Sequence, residues 1–287
     1  MTPTERVAVI GAGTMGHGIA YVCALAGLET ALSDASGAQL EHGFAAIRAA
    51  FEKGIARGKV TAADRDAALA RLRAARTVPE AVREATIVIE AIPEQIALKR
   101  ALFAEIEPLV RADTMLASNT SSLSIAAIAH GLRHPERVIG LHFFNPVPVM
   151  QLLEIVRAGS TSEGTVARAR AFATAIGKTA IVVRDSPGFA TSRLGVVLGL
   201  EAIRMLAQGV ASAEDIDRAM ELGYNHPVGP LRLTDLVGLD VRLAIADHLR
   251  DTLGGPVYEA PALLREMVQQ GRLGKKAGRG FYTWEEK

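Results

Sequence analysis

Short apolar runs recur along the first part of the chain, and the stretches between them carry helical periodicity. RVAVI (Arg6 to Ile10) is a β-branched run that stops at a glycine, the pattern of a buried parallel strand. A helix is predicted from about Met15 to Ala26, ended by Gly27. ETALSD (Glu29 to Asp34) reads as the second strand, and residues 38 to 76 as a helical hairpin. Its second half opens at Thr61, an N-cap with an acid, Asp64, three residues on. Further strand-like runs are TIVIEAI (Thr86 to Ile92), TMLASN (Thr114 to Asn119), RVIGLHFF (Arg137 to Phe144), LLEIV (Leu152 to Val156) and TAIVVR (Thr179 to Arg184). Helical stretches from Gln95 to Val110 and Ser162 to Ile176 separate several of them. Strand alternating with helix predicts an α/β, Rossmann-like, doubly wound domain with a mostly parallel sheet.

After DSPGF (Asp185 to Phe189) the strand pattern stops. LGVVLGLEAIRMLAQG, AEDIDRAMELG, LRLTDLVGLDVRLAIADHL and PALLREMVQQG all read as helices. The turn-forming pair Pro187-Gly188 marks the change, so the expected domains are 1–186, α/β, and 187–287, all-helical. A chain of 287 residues has room for two cores. Its net charge of +1 provides no broad basic field, which argues against nucleic acid and membrane surfaces as partners. An anionic ligand must then be met by local groups. Cys23 is the only cysteine, which rules out an intrachain disulfide and fits a reducing, cytoplasmic setting. The uncharged stretch from Val7 to Leu28 is broken by five glycines, and Glu5 precedes it with no basic n-region, so it reads as neither signal peptide nor membrane span.

Chemistry enters with VIGAGTMGHGIA. Gly11, Gly13 and Gly16 form G-x-G-x-x-G directly after a predicted strand and at the head of a predicted helix. Missing side chains permit the tight turn and let backbone approach a pyrophosphate, while the helix N-terminus supplies amides and a positive dipole end. Thr14 and Met15 lie inside the same loop, and His17 reads as a lining residue rather than a catalyst. Asp34 ends the second strand, placed to hydrogen-bond ribose hydroxyls and to repel a 2′-phosphate, which favours NAD over NADP.

LHFFNPVPVMQLLE places His142 at the end of a strand and Glu154 within the next apolar run. Removing hydride from an alcohol carbon also requires removing the hydroxyl proton, and imidazole suits that near neutrality. A carboxylate on the other ring nitrogen fixes the tautomer and stabilises the imidazolium. A core histidine beside an unrelated glutamate is the plainer alternative. Against it, an isolated carboxylate inside LLEIV is costly to bury unless paired. Pro146 and Pro148 stiffen a loop that returns the chain so that the two meet.

Seven blocks in one order resemble the 3-hydroxyacyl-CoA dehydrogenase family, in particular its stand-alone 3-hydroxybutyryl-CoA dehydrogenases. They are GAGTMGHGIA, VIEAIPE, ASNTSSL, GLHFFNPVPVM, DSPGF, GYNHPVGPLRLTDLVGLD and GKKAGRGFY, and they span nearly the whole chain. The resemblance implies reversible, NAD-dependent oxidation of a (S)-3-hydroxyacyl-CoA to the 3-oxoacyl-CoA, as in fatty acid β-oxidation. It also implies a helical C-terminal domain that forms a homodimer. By the same resemblance His142 is the catalytic base and Glu154 orients it. Glu94 and Lys99 lie near the nicotinamide-side ribose, Ser121 serves both nicotinamide and substrate, and Asn145 lines the cofactor. Lys53, Arg57 and Lys59, in FEKGIARGK, match the segment that contacts coenzyme A.

One position departs from the family pattern. PGF-x-x-N-R becomes PGFATSR, so Ser192 stands where an asparagine near the substrate oxygen is usual. A serine still donates one hydrogen bond but cannot present an amide's paired geometry. Two rivals remain at this level: a gulonate 3-dehydrogenase or lambda-crystallin type acting on a free sugar acid, and a non-catalytic NAD-binding protein. The cations of the FEKGIARGK segment favour an acyl-CoA over the first, and the intact His142, Glu154 and Ser121 set favours an enzyme over the second. His130 and His134 have helical i, i+4 spacing but no third ligand near them in sequence, so no metal is expected. None of these motifs encodes acyl chain length.

Overall fold

The computed structural model describes residues 5–284. The chain forms two compact units, one through Asp185 and one from Ser186. In the first, β1 (Arg6–Ile10), β2 (Glu29–Ser33), β3 (Leu72–Ala75), β4 (Ile87–Glu90), β5 (Met115–Ser118), β6 (Val138–Phe143), β7 (Leu152–Arg157) and β8 (Thr179–Arg184) build one sheet. Its order is β3-β2-β1-β4-β5-β6-β7-β8, and every pairing is parallel except β6 with β7. The helices of this unit are α1 (Thr14–Leu25), α2 (Gly37–Ala56), α3 (Ala62–Arg71), α4 (Val78–Val82), α5 (Ile96–Ile106), α6 (Ile125–Ala129) and α7 (Glu163–Ala175). This is the Rossmann-like, doubly wound, mostly parallel architecture.

The order of the strands reverses at β1, with β2 on one side and β4 on the other, and ligands of open α/β sheets bind at the carboxyl ends of such a crevice. β1 and β4 are buried along nearly their whole length, as strands covered on both faces must be. The β6–β7 connection is too short for a crossover, so those two strands are antiparallel, and His142 pairs directly across from Glu154. Thr61 and Asp64 form the capping box expected at the start of α3.

Two elements differ from the expectation. Residues 72–75 leave the predicted hairpin and form the edge strand β3, followed by the short helix α4. LRAA contains no β-branched residue, and the strand exists through its register with β2, from Thr30 with Leu72 to Ser33 with Ala75. The second difference lies beyond Ser186. The helices there are α8 (Thr191–Ala207), α9 (Ala213–Gly223), α10 (Pro230–Val237), α11 (Leu239–Leu253) and α12 (Ala262–Gln269). LRLTDLVGLDVRLAIADHL is thus two helices, because Gly238 adopts φ 104° between α10 and α11, in a region open mainly to glycine.

Val196, Leu200, Ile203, Leu231, Leu239 and Leu249 centre a separate apolar core in this helical unit. Two buried aspartates fasten its chain end. Asp235 accepts hydrogen bonds from the amides of Phe281 and Tyr282 and from the Trp284 indole, and Asp217 accepts from the Tyr282 hydroxyl and the amides opening α10. No helix among the described residues is long and apolar enough to cross a membrane.

Candidate active site

The glycine loop follows β1 as the sequence predicts. Gly11 has φ 104°, and a methyl group there would lie 2.5 Å from the Ala91 carbonyl oxygen at the end of β4. A methyl on Gly16 would fall 1.6 Å from the Gly11 carbonyl oxygen, so α1 can start only because Gly16 has no side chain. Around Gly13 no atom lies within 4 Å of that position, which leaves the backbone open toward the groove beside it. Gly11, Gly13, Thr14, Met15 and Asp34 line this cavity of about 910 Å³, whereas Gly16 packs beneath the loop. Such a volume suits a cofactor rather than a single ion.

Asp34 shapes the loop as well as facing the groove. Its Oδ2 accepts from the Ala12 amide at 2.8 Å and its Oδ1 from the Ser36 amide at 2.9 Å. Each carboxylate oxygen keeps a further lone pair for a ribose hydroxyl. His17 turns inward, with Nδ1 donating to the Gly13 carbonyl at 2.8 Å. Burial holds this imidazole below its ordinary value, which suits a lining residue.

At the ends of β4 and β5 lies a charge network that sequence reading only partly identified. Lys99, 1% exposed, donates to Glu90 at 2.6 Å, to the Ile92 carbonyl at 3.3 Å and pairs with Glu94 at 3.2 Å. Three donors meet three acceptors, so the ammonium is fully satisfied. Glu90 also accepts from Ser118 Oγ at 2.6 Å and the Ile92 amide at 2.7 Å. Glu94 Oε1 gathers Thr120 Oγ1 at 2.5 Å, the Ser121 amide at 2.9 Å, Ser121 Oγ at 3.3 Å and the Ser122 amide at 3.2 Å. Burial raises the Glu94 carboxyl, but the Thr120 hydrogen bond and the Lys99 charge outweigh it and hold it below its ordinary value. The structure therefore brings Glu94, Lys99 and Ser121 together and fixes the Ser121 backbone. Glu90, Ser118 and Thr120 were not anticipated. The signal was present in IVIE, a carboxylate ending a buried apolar strand, the same cue that had singled out Glu154.

His142 and Glu154 meet as cross-strand partners. Nδ1 of the ring lies 2.7 Å from Glu154 Oε2, and the two side chains are 9% and 0% exposed. A carboxylate there makes Nδ1 the protonated nitrogen and leaves the lone pair on Nε2. Asn119 Oδ1 accepts from the Phe143 amide at 2.9 Å and so ties the β5 end to the strand carrying His142. The connecting loop is clamped from two sides. Val147 packs where Gly18 of α1 has no side chain, and buried Lys178 donates to the carbonyls of Val147 at 2.5 Å and Met150 at 2.7 Å. Asn145 sits exposed on that loop.

Lys53 lies in the last turn of α2, with Arg57 and Lys59 in the turn after it, all exposed. They take no part in the groove lining or in either hydrogen-bond cluster. Ser192 belongs to the helical unit, partly buried in the first turn of α8. His130 and His134 turn to other partners, Arg100 and Glu136 respectively. Among the described residues no group of His, Cys, Asp and Glu side chains is arranged to hold a metal ion.

The family model described as 3-hydroxyacyl-CoA dehydrogenase, NAD binding domain, matches residues 6–186, and that of the C-terminal domain matches residues 188–284. A 3-hydroxybutyryl-CoA dehydrogenase of Mycobacterium tuberculosis is 45% identical over 282 residues, 98% of each chain. One from Bradyrhizobium diazoefficiens is 39% identical, over 98% of this chain and 95% of its own. The crystal structure of (S)-3-hydroxybutyryl-CoA dehydrogenase from Ralstonia eutropha superposes with a TM-score of 0.94 at 41% identity, covering 99% of this chain and 100% of that one. The cofactor of the domain matched over residues 6–186, which contains the glycine loop and Asp34, is NAD.

Proposed function

Because the chain belongs to the 3-hydroxyacyl-CoA dehydrogenase family, we propose that it interconverts a short-chain (S)-3-hydroxyacyl-CoA, with 3-hydroxybutyryl-CoA as the reference substrate, and its 3-oxoacyl-CoA. The observation that carries the chemistry is the 2.7 Å contact between His142 Nδ1 and Glu154. With Nδ1 committed to the carboxylate, Nε2 takes the proton of the substrate hydroxyl, and Glu154 stabilises the imidazolium that results. Bound NAD supplies the hydride acceptor. Ser121, held by Glu94 through its amide and hydroxyl, donates toward the substrate oxygen. In the reductive direction the imidazolium returns the proton to that oxygen.

Lys53, Arg57 and Lys59 supply the local positive charge that the phosphates of coenzyme A need, since the whole chain has almost none to spare at +1. Ser192, in place of the family's asparagine, donates one hydrogen bond to the substrate through its hydroxyl. Exposed apolar side chains of the helical unit, Leu194, Leu222 and Tyr224 among them, support a homodimer formed through that unit. The test is oxidation of NADH by acetoacetyl-CoA, followed by loss of nicotinamide absorbance, beside gulonate and NADPH. Turnover with acetoacetyl-CoA and NADH is expected. Tight NADH binding without turnover of any 3-oxoacyl-CoA would overturn the reading. For Ser192, wild-type kcat/KM in Ser192→Ala would remove it from the substrate contacts.

A further inference from the structure

Behind Ser121 the hydrogen bonds close into a ring. Glu90 Oε1 accepts from Lys99 Nζ at 2.6 Å, and Lys99 pairs with Glu94 Oε2 at 3.2 Å. Glu94 Oε1 accepts from Thr120 Oγ1 at 2.5 Å, and the Thr120 amide donates to Ser118 Oγ at 3.3 Å. Ser118 Oγ then donates back to Glu90, to Oε2, at 2.6 Å. The ring ties the end of β4 to the first turn of α5 and to the end of β5. Ser121 hangs on it at Glu94 Oε1, through its amide at 2.9 Å and its hydroxyl at 3.3 Å. Glu90, Ser118 and Thr120 are wholly buried, and Lys99 nearly so. The same two charges also grip the peptide of Ile92, a residue that lines the cofactor groove. Its amide donates to Glu90 and its carbonyl accepts from Lys99.

A buried ion pair adds little net stability, since apolar side chains of similar volume often hold a core as well or better. Glu90 ends a strand, IVIE, whose other residues are apolar and buried, so packing alone does not call for a carboxylate there. What the ring supplies is direction. Lys99 Nζ is placed by Glu90 and the Ile92 carbonyl, and from that place it sets the rotation of the Glu94 carboxylate. The Glu94 side chain is 37% exposed, and Lys99 and Thr120 together decide which of its oxygens faces the Ser121 and Ser122 amides. We propose that Glu90 is a positioning residue: through Lys99 on one arm and Ser118 on the other it holds Glu94, and with it the Ser121 hydroxyl, where the substrate oxygen receives its hydrogen bond. This rests on the reading of Ser121 as a donor to that oxygen. Glu90 is sealed from solvent, so it reaches the substrate only through these partners. Misplacing such a donor by about 1 Å lowers turnover by about a hundredfold. A glutamine at position 90 disturbs both arms at once. Its carbonyl oxygen can keep Lys99 and the Ile92 amide, without the charge, but its NH2 then meets the Ser118 hydroxyl and can no longer accept from it.

The experiment is a double-mutant cycle on the reduction of acetoacetyl-CoA by NADH, with Glu90→Gln, Ser121→Ala and the two combined. Glu90→Gln should lower kcat by about tenfold to a hundredfold. The NADH Kd should stay within about threefold, because the glutamine oxygen still accepts from the Ile92 amide at the groove wall. Ser121→Ala should cost on the order of a hundredfold in kcat, the scale of one lost donor at a reacting oxygen. In the Ser121→Ala background, Glu90→Gln should cost less than about threefold more, because the hydroxyl it positions is already gone. Ser118→Ala opens the other arm without removing a charge, and carries the same cycle with a smaller loss of about threefold to tenfold. It decides the matter if circular dichroism shows Glu90→Gln unfolded. Equal losses with and without the Ser121 hydroxyl would overturn the proposal and assign the ring to the fold at large. Wild-type kcat in both Glu90→Gln and Ser118→Ala would overturn it as well. Wild-type kcat in Ser121→Ala removes the role of that serine and this proposal with it, and leaves the family reaction standing. Failure of the unmutated enzyme to turn over acetoacetyl-CoA would instead remove the underlying reaction.

Discussion

Replacing Glu154 by glutamine tests the central pair with the least disturbance of shape. The carboxylate is 0% exposed and touches Nδ1 of His142 at 2.7 Å, so an amide of nearly the same size can still accept that hydrogen bond. What it cannot do is stabilise the imidazolium formed when the substrate proton is taken. For charge centres about 4 Å apart at an effective dielectric of about 20, that attraction is on the order of 4 kcal/mol. The neutral hydrogen bond that survives keeps about 1 kcal/mol of it. The remaining ~3 kcal/mol corresponds to a loss in kcat of about a hundredfold. NADH affinity should stay within about twofold, because the glycine loop and Asp34 are built separately from β6 and β7. Steady-state kinetics in both directions, with NADH binding followed by fluorescence, gives both numbers. His142→Gln alone should cost on the order of 10²–10⁴-fold, and adding Glu154→Gln to it should cost little more, since the two act as one unit. Full kcat in Glu154→Gln, or additive losses in the double variant, would show that the pair is structural and that the argument for general-base catalysis fails.

The other predictions follow from the scaffold around that pair. Asp34→Ala should weaken NADH binding by at least about tenfold, because the Ala12 and Ser36 amides lose their acceptor as well as the ribose its partner; an unchanged Kd would remove Asp34 from the cofactor site. Lys178→Met leaves two loop carbonyls without a donor, at about 1–3 kcal/mol, and thermal unfolding should register a fall of several degrees together with lower kcat; an unchanged Tm would mean the loop holds itself. Glu94 has a depressed folded-state value, so its contribution to stability is complete above the unfolded value of 4.5 and is lost as pH falls through the lower folded value. Glu94→Gln should therefore flatten the stability curve below about pH 5, as read by denaturant titration, and a curve parallel to wild type would contradict the assigned direction.

Elements whose information is local were readable from the chain. β1, β2, β4 and β5 are buried runs with sharp ends, and the glycines of the first loop stand where a side chain would strike a carbonyl oxygen. Thr61 and Asp64 cap α3 through contacts three residues apart. His142 and Glu154 were readable for a different reason, that a carboxylate in an apolar strand must find a partner. The same rule holds for Glu90, but no local pattern points to its partner, because Lys99 comes from a different element and looks like any other helical lysine. β3 was missed because LRAA has no preference of its own for a strand.

The sequence by itself thus determined most of the order of strands and helices, the glycine loop after β1 and the pairing of His142 with Glu154. Each of these depends on spacing along the chain or on the cost of burying a single group. Only the tertiary structure decided that β3 is an edge strand, that Lys99 joins Glu90 to Glu94, that Lys178 holds the loop after His142 and that Arg242 is buried with its Nε unpartnered among the described residues. Those outcomes depend on which groups from distant elements share one desolvated volume, and no local pattern in the chain records that.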